Sequence, residues 1–207
     1  MGTETKLPPR LIALVRAWTE TEALMTMATV ILDRDGVINY DSDQYIKSPA
    51  EWIAIPGSIE AIAQLCQAGH RVVVATNQAG LARGLFDMDA LILIHAKLER
   101  QLASLGGRIE AIFFCPHGPW ENCNCRKPQP GMYHEIARCL SIRLEGVACV
   151  GDSLRDIQAA RAAGGKPVLV LTGNGETTLS ALKDTDDVMI YSDLSHFTTD
   201  FLSSKTI

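Results

Sequence analysis

Two aspartates separated by one residue and followed by glycine, Asp33-Arg34-Asp35-Gly36, form a pair that a strand-to-loop transition can direct into one small site. With Mg²⁺ bridging to a phosphate, one carboxylate can attack phosphorus while the other moves protons, a division of labour that differing environments impose on paired carboxylates. Alone, the pattern is also that of a surface turn or a helix N-cap. Three further clusters change its weight. Thr76-Asn77-Gln78 offers a hydroxyl and two amides, Arg126-Lys127 a pair of cations, and Gly151-Asp152 another acid. Phosphoryl transfer needs charge neutralisation around the equatorial oxygens, and this set supplies the hydroxyl, the amide pocket, the cation and a magnesium carboxylate.

A second constellation lies just ahead of the cations. Cys115-x-His117 and Cys123-x-Cys125 place four soft or borderline ligands within eleven positions. Four ligands with paired spacing suit tetrahedral Zn²⁺ with no open position, hence a structural ion; the alternative is free cysteines in a loop, or a redox pair. The strand end that carries Arg126 and Lys127 opens into a loop rich in Gly, Pro and Asn, and a metal cross-link there would hold the cations at a fixed distance from a bound phosphate.

The elements that position these groups are read from hydrophobic pattern. Unbroken apolar runs at 29–32, 72–74, 111–114, 147–150 and 168–171 suit strands covered on both faces. Between them, Ile59 to Leu65, Leu91 to Leu102, Met132 to Leu140 and Ile157 to Ala163 have helical spacing, several ending at glycine. The alternation predicts an α/β fold with a doubly wound parallel sheet, whose ligands bind beyond the carboxyl ends of the strands. Each chemical cluster follows a strand, so all arrive on one rim. The expected organisation is an N-terminal extension over 1–27, with helical spacing at Leu11, Leu14, Val15 and Trp18; a main domain over 28–191; and a loosely packed Ser/Thr-rich tail over 192–207. Translation from Met25 or Met27 is the alternative account of the first segment.

A net charge of −5 over 207 residues and a pI near 5.5 argue against a nucleic-acid partner, which would need a basic face. No apolar run approaches the roughly 20 residues of a membrane span, and charges interrupt the N-terminal segment, so neither span nor secretory signal is expected. A cytoplasmic monomer acting on a small molecule is the simplest expectation. His70, His95, His134 and His196 read as structural or solvated, and Trp18, Trp52 and Trp120 form no stacking array.

The four clusters stand as DRDGVIN (33–39), VVVATNQ (72–78), RKPQPGM (126–132) and VGDSLRD (150–156), a pattern that resembles the haloacid dehalogenase superfamily of aspartyl phosphatases. The resemblance covers residues 28–175 and implies a Rossmann-like fold without a large cap domain. It makes Asp33 the nucleophile, Asp35 the general acid and base, Thr76 and Asn77 phosphate binders, and Lys127 the charge anchor. Asp33, Asp35 and Asp152 would hold magnesium, with Asp156 orienting its neighbours. Within the superfamily, NQAGLARG (77–84) and the Cys/His loop ahead of RKPQPGM are similar to a branch that removes the C7 phosphate of heptose 1,7-bisphosphate in the synthesis of nucleotide-activated heptose for surface polysaccharide. That resemblance adds Asp41, Tyr45, Gln78, Arg83 and Arg126 as sugar-phosphate contacts and Cys115, His117, Cys123 and Cys125 as zinc ligands. Ala79 replaces a serine usual in that branch, and the loop after Asn39 is one residue longer. Two other readings stay open: a histidinol-phosphate phosphatase with the same chemistry, and a zinc-stabilised binding module without turnover.

Overall fold

The computed structural model describes residues 27–204. Six strands, β1 (Thr29–Leu32), β2 (Arg71–Asn77), β3 (Ala111–Cys115), β4 (Ala148–Gly151), β5 (Lys166–Val170) and β6 (Met189–Tyr191), form one sheet in the order β3-β2-β1-β4-β5-β6. Every adjacent pair is parallel. The helices are α1 (Ser58–Gln67), α2 (Ala79–Ala82), α3 (Met88–Ser104), α4 (Gly131–Leu140), α5 (Leu154–Ala163), α6 (Gly175–Ala181) and α7 (Leu194–Ser203).

Alternate side chains along the strands serve opposite layers, which is why the runs are apolar throughout. Val30, Leu32, Val72, Val74, Val150 and Val168 pack with Ile62 and Leu65 of α1, Ile94 and Leu98 of α3, and Phe197 of α7. Ile31, Val73, Ala75 and Cys149 face the other way, onto Tyr133 and Ile136 of α4 and Ala159 and Ala160 of α5. The doubly wound parallel sheet expected from the sequence is therefore present. Between β1 and α1, residues 33–57 carry only the isolated bridges Asp35 to Asn39 and Asn39 to Ala54, so this crossover holds no cap domain.

The expected loose tail is not what the structure contains. After β6 the chain enters α7, where the Asp193 side chain accepts the His196 N–H at 2.8 Å as an N-cap. Leu194 and Phe197 are buried against the main core, and the Phe197 and Phe201 ring centroids lie 5.3 Å apart. The intervening serines and threonines, of which Thr199 and Ser203 are exposed and Thr198 is buried, conceal the helical spacing of 194, 197 and 201. Of the N-terminal extension expected over 1–27, residues 1–26 lie outside the described residues. Among the described residues, no helix is long and apolar enough to cross a membrane.

Candidate active site

Because all strands run in parallel, the groups that follow β1, β2, β3 and β4 meet at one edge. Asp33 leaves β1 with its N–H donated to the Val150 carbonyl of β4 at 2.8 Å. The Lys127 ammonium reaches it from beneath: Nζ is 3.0 Å from Asp33 Oδ2, 2.6 Å from Asp156 Oδ1 and 2.7 Å from the Ala75 carbonyl, so all its donors are engaged. Lys127 is 1 % exposed, and burial works against its charge, yet Asp156 and Asp33 outweigh burial and raise its pKa. Asp156 is equally buried. Burial pushes its carboxyl up, but Lys127 and the hydroxyl and N–H of Ser153, at 2.5 and 3.0 Å from Oδ2, hold it below the ordinary value. It stays ionised as the counter-charge of the lysine.

Asp33 has the opposite balance. Burial raises its carboxyl well above the usual range; Lys127 pulls it down, while Asp156, Asp152 and Asp35 push it further up. Asp152, at the end of β4, is raised to about 6, mainly by burial and then by Asp156, although the N–H and amide of Asn174 both donate to its Oδ2, at 2.8 and 3.1 Å. One carboxylate oxygen from each of Asp33, Asp152 and Asp156 lies within 4.8 Å of the others. Carboxylates that raise one another's pKa in a buried site fit a divalent cation, and Asp33 and Asp152 are the two that the lysine leaves least neutralised. Gly36 makes this approach possible: its φ is +81°, and a Cβ there would stand 2.1 Å from Asp152 Oδ2.

Asp35, expected with Asp33 and Asp152 to hold magnesium, has its side chain outside the cluster of Asp33, Asp152 and Asp156. Its oxygens receive Arg34 Nε at 3.1 Å and Nη2 at 2.9 Å, Asn39 Nδ2 at 2.9 Å and Gln78 Nε2 at 2.9 Å. It therefore stands apart from the three clustered carboxylates. Gln78, 4 % exposed, also donates to Thr76 Oγ1 at 2.9 Å, so at the wall of the cleft its amide nitrogen is engaged by Asp35 and Thr76. Asn77 likewise spends its side chain on protein: Nδ2 donates to the Lys127 carbonyl at 3.0 Å and Oδ1 accepts the Lys127 N–H at 3.1 Å.

The zinc-type loop follows β3. Cys115 Sγ lies 3.6 Å from His117 Nδ1, 3.6 Å from Cys123 Sγ and 3.3 Å from Cys125 Sγ, and Cys125 Sγ lies 3.3 Å from His117 Nδ1 and 3.5 Å from Cys123 Sγ. A tetrahedron with Zn–S bonds of about 2.3 Å has edges of roughly 3.8 Å, so the four atoms already have the size of that ion's cage. Directly after the cage, Arg126 donates to the His117 carbonyl at 3.2 Å, tying the first cation to the loop.

Above these groups opens a cleft of about 270 Å³ lined by Asp33, Asp35, Asp41, Tyr45, Thr76, Asn77, Gln78, Arg83, Arg126 and Asp152, with Lys127 forming the floor behind Asp33. The Arg83 guanidinium lies 4.8 Å from the Trp120 ring centroid and 5.9 Å from that of Tyr45, a cation–π pairing that the sequence did not reveal. Four contributors were missed. Arg34 and His95 sit behind Asp35, with Arg34 Nη1 3.2 Å from His95 Nε2. Arg155 lines the cleft beside Ser153, and Asn174 holds Asp152 while its amide also reaches Asp41 Oδ2 at 3.3 Å. Asn174 follows β5, and extending the strand-end logic to that fifth end would have found it.

Residues 124–196 match the family model described as HAD-hydrolase-like. A D-glycero-beta-D-manno-heptose-1,7-bisphosphate 7-phosphatase of Bordetella bronchiseptica is 62% identical over 154 residues, covering 74% of this chain and 86% of that protein. One of the same name from Pseudomonas putida is 58% identical over 153 residues, covering 74% and 87%. The crystal structure of D,D-heptose 1,7-bisphosphate phosphatase from B. bronchiseptica complexed with magnesium and phosphate superposes with a TM-score of 0.85 at 55% identity, covering 86% of this chain and 99% of that one.

Proposed function

From a chain that belongs to the haloacid-dehalogenase-like hydrolases, and within them to the heptose-1,7-bisphosphate 7-phosphatase family, we propose a magnesium-dependent phosphomonoesterase that removes the C7 phosphate of D-glycero-D-manno-heptose 1,7-bisphosphate. The observation that carries the reading is the meeting of Asp33, Asp152 and Lys127 at the base of a cleft whose walls hold Arg83, Arg126 and Arg155. A bisphosphate brings two anionic groups: one is met at the floor, and the three arginines supply charge for the other.

Asp33 is the nucleophile. Its carboxylate attacks phosphorus in line, the sugar oxygen departs, and an aspartyl-phosphate forms. Asp35 gives a proton to the leaving alkoxide, then takes one from the water that attacks the phosphoenzyme, releasing phosphate and restoring Asp33. Lys127 faces the charge that builds on the phosphoryl oxygens. Thr76, placed by β2 beside Gln78, supplies a hydroxyl toward the same group. Magnesium held by Asp33 and Asp152 would neutralise the phosphate and permit two anions to approach. Asp41, Tyr45, Arg83 and Arg126 contact the sugar phosphate beyond the reacting centre, whereas Gln78 and Asn77 act through Asp35 and Lys127. Zinc in the Cys115, His117, Cys123 and Cys125 cage does no chemistry; the cage fixes the strand end from which Arg126 and Lys127 project.

The product is heptose 1-phosphate, a precursor for nucleotide-activated heptose, made in the cytoplasm by a monomeric enzyme. Phosphate release with Mg²⁺ from the α and β heptose 1,7-bisphosphates and from histidinol phosphate tests the reading. A higher kcat/KM for either heptose anomer is expected; a preference for histidinol phosphate would overturn the substrate while leaving the chemistry in place.

A further inference from the structure

Asp35 meets a shell made only of donors, and the most elaborate of them is a buried arginine from the neighbouring position. Arg34 is 1 % exposed and grips both oxygens of Asp35 through Nε and Nη2. A residue adjacent in sequence does not hold such a fork by itself, because its own side-chain torsions remain free to swing the guanidinium plane. The remaining nitrogen, Nη1, is fixed from another element: His95 on α3 places Nε2 at 3.2 Å. Among the described residues, His95 is the one other side chain that the guanidinium meets. Arginine has no lone pair to offer, so the His95 ring must be neutral at Nε2, accepting there with its proton on Nδ1. Its surroundings enforce that state, since burial and then the Arg34 charge, opposed by Asp35, lower its pKa to about 4.

We propose that His95 and Arg34 are positioning residues for the proton-transfer step: His95 fixes the guanidinium plane, and Arg34 fixes the Asp35 carboxylate. This inference rests on the reading of Asp35 as general acid and base. Neither side chain lines the cleft, so they act on the rate through Asp35 and leave substrate binding alone. Proton transfer by a positioned carboxylate contributes on the order of 10² to 10⁴ in rate, and loosening the geometry forfeits part of that. Asn39 and Gln78 continue to hold one bond each, so the loss is partial.

The experiment compares the full-length parent, His95→Leu, His95→Gln and Asp35→Asn in steady-state phosphate release with Mg²⁺ and heptose 1,7-bisphosphate. His95→Leu keeps bulk and removes the acceptor; it is expected to lower kcat by about ten- to a hundredfold with KM little changed. His95→Gln, whose amide oxygen can accept from Nη1, is expected to recover most of the loss. An unchanged kcat in His95→Leu, a change confined to KM, or an equal loss in His95→Gln would overturn the inference. Should His95→Leu not fold, His95→Met replaces it with the same expectation. Asp35→Asn separates the two claims: if it retains the parent's kcat, the role of Asp35 fails; if it loses activity while His95→Leu does not, the positioning inference alone fails.

Discussion

Asn77 and Lys127 bind each other twice, the Asn77 amide donating to the Lys127 carbonyl at 3.0 Å and accepting its N–H at 3.1 Å. Fifty positions apart in sequence, they join the end of β2 to the loop from which the buried ammonium reaches Asp33. The amide thus replaces the sheet pairing that stops where the strands end.

Asn77→Ala removes both bonds and leaves backbone donor and acceptor unpaired in a half-buried place. A stability loss of about 1–3 kcal/mol is expected in urea unfolding, together with a reduced kcat. Stability equal to the parent's would mean that the clamp does not hold the Lys127 loop.

At Gly36, Ala adds a Cβ that would stand 2.1 Å from Asp152 Oδ2, at a φ of +81° that side chains rarely adopt. The Asp152 carboxylate must move from the position in which it meets Asp33 and Asp156. Gly36→Ala is expected to lose activity at ordinary Mg²⁺ and to recover part of it at raised Mg²⁺, read from the magnesium dependence of phosphate release. An unaltered magnesium dependence would refute the role given to this contact.

His95 also predicts a pH effect on stability. Its pKa in the fold is lowered from 6.5 to about 4, by burial first and then by Arg34. The neutral ring is therefore favoured in the folded state, so its contribution is complete above about pH 6.5 and is lost as pH falls towards 4. Between those values the parent is expected to lose on the order of 1–3 kcal/mol more stability than His95→Gln, measured by urea unfolding at each pH. Parallel pH profiles would count against a neutral His95 in the folded state.

Removing one cage ligand, Cys125→Ser, is expected to lower both zinc content and Tm and to raise KM, because Arg126 is tied to the carbonyl of His117 within the same loop. A zinc-free, folded variant with parental kinetics would show that the cage has no part in placing the cations.

Much of this site was legible because the strands are buried on both faces. Such strands read as unbroken apolar runs, and each polar cluster directly after one had to arrive at the common rim; Asp33, Thr76, Lys127 and Asp152 were found that way. Partners were harder to read. An amide looks the same in sequence whether it faces a ligand or the protein: Asn77 and Gln78 do line the cleft, but their bonds to Lys127, Asp35 and Thr76 could not be read from the sequence. Arg34 read as the spacer between two aspartates, and His95 as one polar position in an amphipathic helix, because their pairing depends on how α3 packs beside β1. The C-terminal helix escaped for a compositional reason: Leu194, Phe197 and Phe201 carry its burial amid serines and threonines.

The central claim is that Asp33 becomes phosphorylated. The most direct measurement is acid quench of the parent during turnover of heptose 1,7-bisphosphate with Mg²⁺, followed by mass spectrometry of the peptide containing Asp33, with Asp33→Asn treated alongside. A phosphoryl group on Asp33 in the parent, and neither adduct nor phosphate release in Asp33→Asn, is the predicted result. Undiminished phosphate release by Asp33→Asn would contradict the account.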